Sequence, residues 1–217
     1  MKIGSDAVLM GSTLRPSNEL SSALEIGTGT GVISLMLCQR YPQLKIKALE
    51  IDNESAIQAS ENFNASDFRN RLSIENIDFL SFNTEQKYDL IFSNPPYFYH
   101  SLKNDDDQKS IARHISWQLF SAWLDKINDL SNPHTEISLI LPLEAFIKTN
   151  EYLSSLGFHL IYDCSLKSFE DSGVIRKLST WTKSSKEIER EEFVIYKSEK
   201  VHSDQYIEAL KDYLIIF

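Results

Sequence analysis

Cysteine is scarce in this chain: Cys38 and Cys164 are the only two among 217 residues. They stand far apart, each in an apolar stretch, which excludes a disulfide-built scaffold and makes buried free thiols the expectation, with no metal site. Glycine (7) and proline (6) are also few and no tract is biased, so collagen-like, linker-like and disordered classes are excluded. No stretch approaches the roughly 18 uninterrupted apolar residues of a membrane span, and the N-terminus lacks a basic segment followed by an apolar run. A cytoplasmic chain is expected. Positive charge is short, with 22 Lys and Arg against 31 Asp and Glu and a net charge of −9. A surface built throughout to hold nucleic acid is thereby excluded, and an RNA or DNA partner would need a local basic patch.

What is present is an ordinary globular composition, 42% hydrophobic and 24% charged, in a length that suits one sizeable core. Residues 1–217 are therefore expected to form a single domain. Strand-length apolar runs alternate with helix-period stretches: Ala23–Ile26, Val32–Arg40, Ile46–Ile51, Ser55–Phe63, Leu72–Glu75 and Tyr88–Ser93. The alternation predicts an α/β chain with a doubly wound sheet. Farther on, Tyr97–Lys109 reads as a loop and Ser110–Leu130 as a long helix. Ile137–Leu141 and Phe158–Tyr162 read as strands around a helix, Glu144–Leu156, that Gly157 ends. Ser165–Glu192 is polar and interrupted, Phe193–Tyr196 alternates like a late strand, and Ser203–Leu214 reads as a terminal amphipathic helix.

Two motifs carry chemistry. The first, Leu24-Glu25-Ile26-Gly27-Thr28-Gly29-Thr30-Gly31, joins the first strand to its helix. Glycines there let the chain turn sharply and let a ligand lie against the backbone, with amide donors exposed at a helix start. The strict alternation of Gly27, Gly29 and Gly31 differs from the Gly-x-Gly-x-x-Gly dinucleotide fingerprint, and no Lys-Ser/Thr pair follows as in a phosphate loop. About 20 residues on, the second strand ends in Glu50 and Asp52, where an acid can accept both hydroxyl hydrogens of a ribose. Either acid suits that role by position. Glu50 is preferred as nearer the apolar run, with Asp52 read as a helix cap.

The second motif is Asn94-Pro95-Pro96-Tyr97, directly after the apolar strand Leu90-Ile91-Phe92-Ser93. Two prolines stop the ladder and stiffen the turn. A planar exocyclic amine donates two in-plane hydrogen bonds and is a poor nucleophile until its lone pair is aimed. The Asn94 side-chain oxygen and the Pro95 carbonyl are rigid acceptors for both hydrogens, and Tyr97 offers a flat face for stacking. Positioning and electrostatics would supply the rate without a tuned general base.

Together these motifs resemble the class I, Rossmann-like S-adenosylmethionine-dependent amino-methyltransferases. The resemblance implies a mostly parallel sheet with helices on both faces and a late antiparallel hairpin. It also implies S-adenosylmethionine as cofactor, held by Gly27, Thr28, Gly29, Gly31, Glu50 and Asn94. The family often sets an acid after the third strand against the adenine amine, which implies that role for Asp78 with Phe79 packed on the ring; a helix cap is the other reading of Asp78. Within the class, Met1-Lys2-Ile3-Gly4-Ser5-Asp6-Ala7-Val8-Leu9-Met10-Gly11 is similar to the N-terminal block of the bacterial tRNA1(Val) adenine-N6 methyltransferases. Ala112-Arg113-His114, Ile175-Arg176-Lys177-Leu178 and the run from Ser203 to Leu214 also resemble that family.

This resemblance implies transfer of a methyl group to the N6 amine of an adenine beside the anticodon. The substrate tRNA would be met by Tyr97, Phe98, Lys103, Arg113, Arg176 and Lys177. The family carries a further segment before its N-terminal block, so a piece ahead of Met1 is expected to be missing. Where relatives have Pro-Lys-Arg-Val, this chain has only Arg176-Lys177, and the basic residues have a solvated surface as their plainer reading. Two other functions fit the motifs: methylation of a glutamine amide in a release factor, and a non-catalytic binding module of the same fold.

Overall fold

The computed structural model describes residues 4–16, 19–95 and 106–214, with the side chains of 106–116 excepted. The chain opens with helix α1 (Ser5–Thr13). It then alternates β1 (Ser22–Ile26), α2 (Val32–Arg40), β2 (Lys45–Glu50), α3 (Asn53–Ala65) and β3 (Leu72–Asn76). A single 3₁₀ turn (Phe79–Ser81) leads to β4 (Leu90–Ser93), followed by α4 (Asp106–Leu130), β5 (Glu136–Leu141) and α5 (Leu143–Ser155). The remainder is β6 (His159–Lys167), β7 (Val174–Thr182), β8 (Glu189–Val194), a small hairpin of β9 (Tyr196–Ser198) and β10 (Val201–His202), and α6 (Asp204–Leu210).

Eight strands form one sheet in the order β3-β2-β1-β4-β5-β7-β6-β8. All neighbours are parallel except at β7, which runs antiparallel to both β5 and β6. The expected mostly parallel sheet with a late antiparallel hairpin is therefore what forms. Alternation along the strands divides the core in two. Ala23, Ile46, Ala48, Leu90 and Phe92 pack on one face with Met36 and Leu37 of α2 and Phe63 of α3. Leu24, Ile26, Leu49 and Ile91 pack on the other with Phe120 and Leu124 of α4 and Leu153 of α5. Strand side chains project to opposite faces in turn, so each β strand at the centre feeds both layers.

Local chemistry sets the element ends. Asp52 caps α3 by accepting from the Ser55 amide at 2.8 Å, Gly157 leaves α5 with φ +84°, and Ser203 caps α6 by accepting from Tyr206 at 3.0 Å. Several sequence-based boundaries differ, among them the late strand expected at Phe193–Tyr196, which is β8 at Glu189–Val194. α4 starts at Asp106, four residues inside the stretch read as a loop, because an acidic run marks a solvated loop and a favourable helix start equally well. β6 runs on to Lys167, and β7 lies inside the segment read as polar and interrupted. That segment hid a strand because its polar residues are buried in pairs: Ser138 with Thr180 at 2.9 Å, and Ser179 with Asp163 at 3.2 Å. α6 stops at Leu210 rather than Leu214. Cys38 and Cys164 are both buried free thiols, as expected.

Candidate active site

β1 and β4 are parallel neighbours, with Glu25 opposite Phe92, so Gly27 and Asn94 leave the sheet side by side at one edge. The Ser93 hydroxyl donates to the Ile26 carbonyl at 2.6 Å, in a bond wholly out of reach of water. The glycine loop and the Asn-Pro motif are thereby joined at their roots. Asn94 is half-buried and Pro95 buried, while Pro96, Tyr97, Phe98 and Lys103 lie outside the described residues.

Gly27, Gly29 and Gly31 have φ of +72°, +59° and +82°, so the alternate glycines all take the left-handed conformation. The loop leans on β2: the Gly27 and Thr28 amides donate to the Leu49 carbonyl at 2.9 and 3.1 Å. At Gly31, which caps α2, an added Cβ would fall 2.4 Å from Cε1 of Phe63, whereas at Gly27 it would meet nothing within 4 Å. The loop is thus tight against the protein at one end and open at the other, where a ligand can approach the backbone. From α3, the Asn62 amide group donates to the Thr30 carbonyl at 2.8 Å and clamps the loop from the side.

The two acids at the end of β2 separate cleanly. Glu50 is nearly buried, and its carboxylate accepts from the Gly29 amide at 2.7 Å and from the Asp52 amide at 3.0 Å. Asp52 is exposed and engaged as the α3 cap; the Ser55 bonds hold its carboxyl below the usual range. A carboxylate has about four acceptor positions, so Glu50 retains capacity for a ligand's hydroxyls. Asn76 fixes the backbone beside it, donating to the Glu50 carbonyl at 2.8 Å.

A third acid escaped the sequence reading. Glu25 has no exposed surface; its Oε2 accepts from Thr28 at 2.6 Å and from the Ser34 hydroxyl, and its Oε1 has no partner. Burial pushes its carboxyl up to about 7, against the opposing pull of those two hydroxyls. A glutamate inside an apolar strand, two residues before Gly27, was the available signal. Thr28, expected at the cofactor, lies in the loop with its hydroxyl turned to Glu25.

Asp78 accepts from the Leu80 amide at 3.0 Å and so caps the 3₁₀ turn, and the Ile77 amide donates to the Glu50 carbonyl at 2.9 Å, which sets Asp78 next to the edge. Phe79 is 3% exposed and meets Trp123 edge-on at 5.5 Å, within the core. Lys177 pairs with Leu141 in the ladder and therefore reaches the same sheet edge. It is held by Asp163 at 2.8 Å and Ser165 at 2.9 Å, and Arg176 by Asp6 of α1 at 3.0 Å. Arg113 lies on α4, its side chain outside the described residues. A separate cavity of about 770 Å³ opens at the opposite edge, between the starts of the strands, away from both motifs. Among the described residues no helix is long and apolar enough to cross a membrane, and no three His, Cys, Asp or Glu side chains gather as metal ligands would.

The methyltransferase small domain family model matches residues 2–120. The tRNA1(Val) (adenine(37)-N6)-methyltransferase of Pseudoalteromonas translucida is 34% identical over 215 residues, 99% of this chain and 92% of that protein. The protein of the same name from Pedobacter heparinus is 33% identical over 217 residues, 100% and 92% of the two chains. In three dimensions the chain resembles a predicted O-methyltransferase from Agrobacterium tumefaciens, at a TM-score of 0.71 and 15% identity over 95% of each chain, which speaks for the fold alone. A glycine loop and an Asn-Pro turn rooted on adjacent strands, with similarity sustained along the whole length, place the chain in the methyltransferase small domain family, among the tRNA1(Val) (adenine(37)-N6)-methyltransferases.

Proposed function

We propose that this protein transfers a methyl group from S-adenosylmethionine to the N6 amine of adenine-37 in tRNA1(Val). The observation that carries the reading is the Ser93–Ile26 bond, which sets Asn94 beside the glycine loop at one sheet edge. Adjacent strands lie about 4.8 Å apart, so a base amine held at Asn94 sits next to a ligand lying on Gly27 and Gly29.

The residues present fit the cofactor. Gly27, Gly29 and Gly31 leave backbone to lie against, with Thr28 bracing the loop through Glu25. Glu50 suits the ribose hydroxyls, and Glu25, without exposed surface, supports the loop from beneath through Thr28 and Ser34. Asp78, at the end of the strand beside Glu50, would accept from the adenine amine, with Phe79 behind it as the packed support. When bound, S-adenosylmethionine supplies an electrophilic methyl group on a sulfonium.

Asn94 and the Pro95 carbonyl accept the two hydrogens of N6 and turn its lone pair out of the base plane's conjugation. As positive charge builds on the nitrogen, the same two oxygens stabilise it. Tyr97 and Phe98 are assigned the stacking of the extruded base. Lys103, Arg113, Arg176 and Lys177 are assigned the backbone of the tRNA, the last two from ion pairs with Asp6 and Asp163. Similarity along the whole chain to tRNA enzymes favours this over methylation of a release-factor glutamine.

The test is incubation of the protein with tritiated S-adenosylmethionine and, separately, tRNA or release factor. Label in tRNA, released on digestion as N6-methyladenosine, is the expected result. Asn94→Ala should lower turnover by about 10²–10³-fold, the usual loss on removing one preorganised hydrogen-bonding group. Label in the release factor alone would overturn the assignment.

A further inference from the structure

We propose that Phe169 heads an aromatic shelf on which a second nucleotide of the RNA substrate stacks, apart from the base that reacts. This rests on the tRNA reading above and adds a subsite to it. Register places the shelf: Ser93 pairs with Leu139, Leu139 with Ser179, and Ser179 with Asp163, so Asp163 of β6 is level with the end of β4. β6 continues to Lys167, β7 begins opposite it, and β8 ends at Val194 beside it. The three strands thus rise past Asn94 as a wall, by about 13 Å at ~3.3 Å per residue and about three strand spacings to one side. The loop at 168–173 crowns that wall, on the order of 20 Å from Asn94. A single strand of a few nucleotides spans such a distance.

Phe169 is fixed on this loop. Its amide donates to the Ser172 hydroxyl at 3.0 Å, and its carbonyl accepts from the Ser172 amide and hydroxyl at 3.0 and 2.8 Å. Behind it stands a ladder of rings. Phe169 lies 5.8 Å from Tyr196, Tyr196 lies 5.2 Å from His202, and His202 lies 4.4 Å from Tyr206, the last two pairs stacked within 20° of parallel. Tyr206 is 6% exposed and anchors the inner end in the core, while Phe169 at the outer end is only half-buried. Three rings suffice to staple the β9–β10 hairpin to α6. The fourth extends the stack into solvent.

Charge selects the kind of contact. Lys197 and Lys200 are exposed on the hairpin, but so are Glu170 and Asp171 beside Phe169, so the shelf is no phosphate patch. Base stacking on an aromatic ring needs no net positive charge and tolerates any base, because every base has a π face. That chemistry suits an acidic chain that must still grip RNA.

Full-length wild type, Phe169→Leu and Phe169→Trp are compared for tRNA methylation at saturating cofactor. Leucine keeps the apolar bulk and removes the π face. It should raise the KM for tRNA about 5- to 100-fold, the equivalent of one lost base stack, with kcat and the KM for cofactor unchanged within about two-fold. Tryptophan should restore the wild-type KM, and its emission at position 169 should quench on tRNA addition, a readout that stands even if the leucine variant folds poorly. Equal KM values for wild type and Phe169→Leu, or no quenching, would overturn the shelf while leaving the tRNA reading intact. Wild type that labels no tRNA would sink both.

Discussion

Ser93 and Ile26 are joined by a hydrogen bond of 2.6 Å that ties the residue before Asn94 to the residue before Gly27. The side chain holding the bond has no solvent exposure. Ser93→Ala removes it without changing shape much, at about 1–2 kcal/mol of stability. Chemical denaturation should show that loss with an unchanged slope. Turnover should fall more than cofactor affinity, because the strand end carrying Asn94 is what loosens, and kcat against the KM of each substrate separates the two.

Gly31 and Gly27 both adopt positive φ, and alanine at either should cost about 1–2 kcal/mol in backbone strain. Gly31→Ala adds a collision with Phe63, worth about 1–3 kcal/mol more. Urea melts should therefore rank Gly31→Ala as the less stable. A Phe63→Leu background should relieve that variant and not Gly27→Ala; equal effects of Phe63→Leu on both would contradict the packing argument.

Asn62 reaches from α3 to the Thr30 carbonyl at 2.8 Å and is the lateral clamp on the glycine loop. Asn62→Ala should weaken binding of the demethylated cofactor product about five-fold by calorimetry, the value of one modest hydrogen bond. Turnover at saturating cofactor should stay within about two-fold. A fall in kcat with unchanged affinity would assign Asn62 a different role.

Glu25 gives the folded protein a pH signature. Its carboxyl is pushed from the ordinary 4.5 up to about 7, so between those values the folded protein keeps a proton that the unfolded chain has released. The stability this group contributes is full below about 4.5, falls as pH rises, and levels off above about 7. Glu25→Gln cannot ionise. In thermal melts without cofactor the variant should lose this slope and gain on wild type at pH 8, by up to about 3 kcal/mol. Identical pH profiles for the two proteins would show that Glu25 ionises normally when folded.

Much of the frame was legible because it rests on local rules. α2 spans Val32–Arg40 as read, since a positive-φ glycine starts it and its apolar period is undisturbed. Asp52 caps α3 as read, because a short acid before a helix has few better uses. β7 was not legible: Ser179, Thr180 and Thr182 are polar by type, and only pairing across β5 and β6 buries them. A strand satisfied by distant partners carries no periodicity of its own.

The site divides along the same line. The spacing of Gly27, Gly29 and Gly31, and the stop at Asn94-Pro95, are backbone requirements written in residue types, and they determined the class of chemistry. Which acid faces the loop was decided by the tertiary structure, which turns Glu50 inward onto Gly29 and leaves Asp52 at a helix end. It also buried Glu25 beneath Thr28 and Ser34, clamped Thr30 with Asn62, and raised β6 to β8 into the wall that carries Phe169. Hydrogen bonds and burial between residues far apart in the chain depend on which surfaces meet, and local pattern does not encode that.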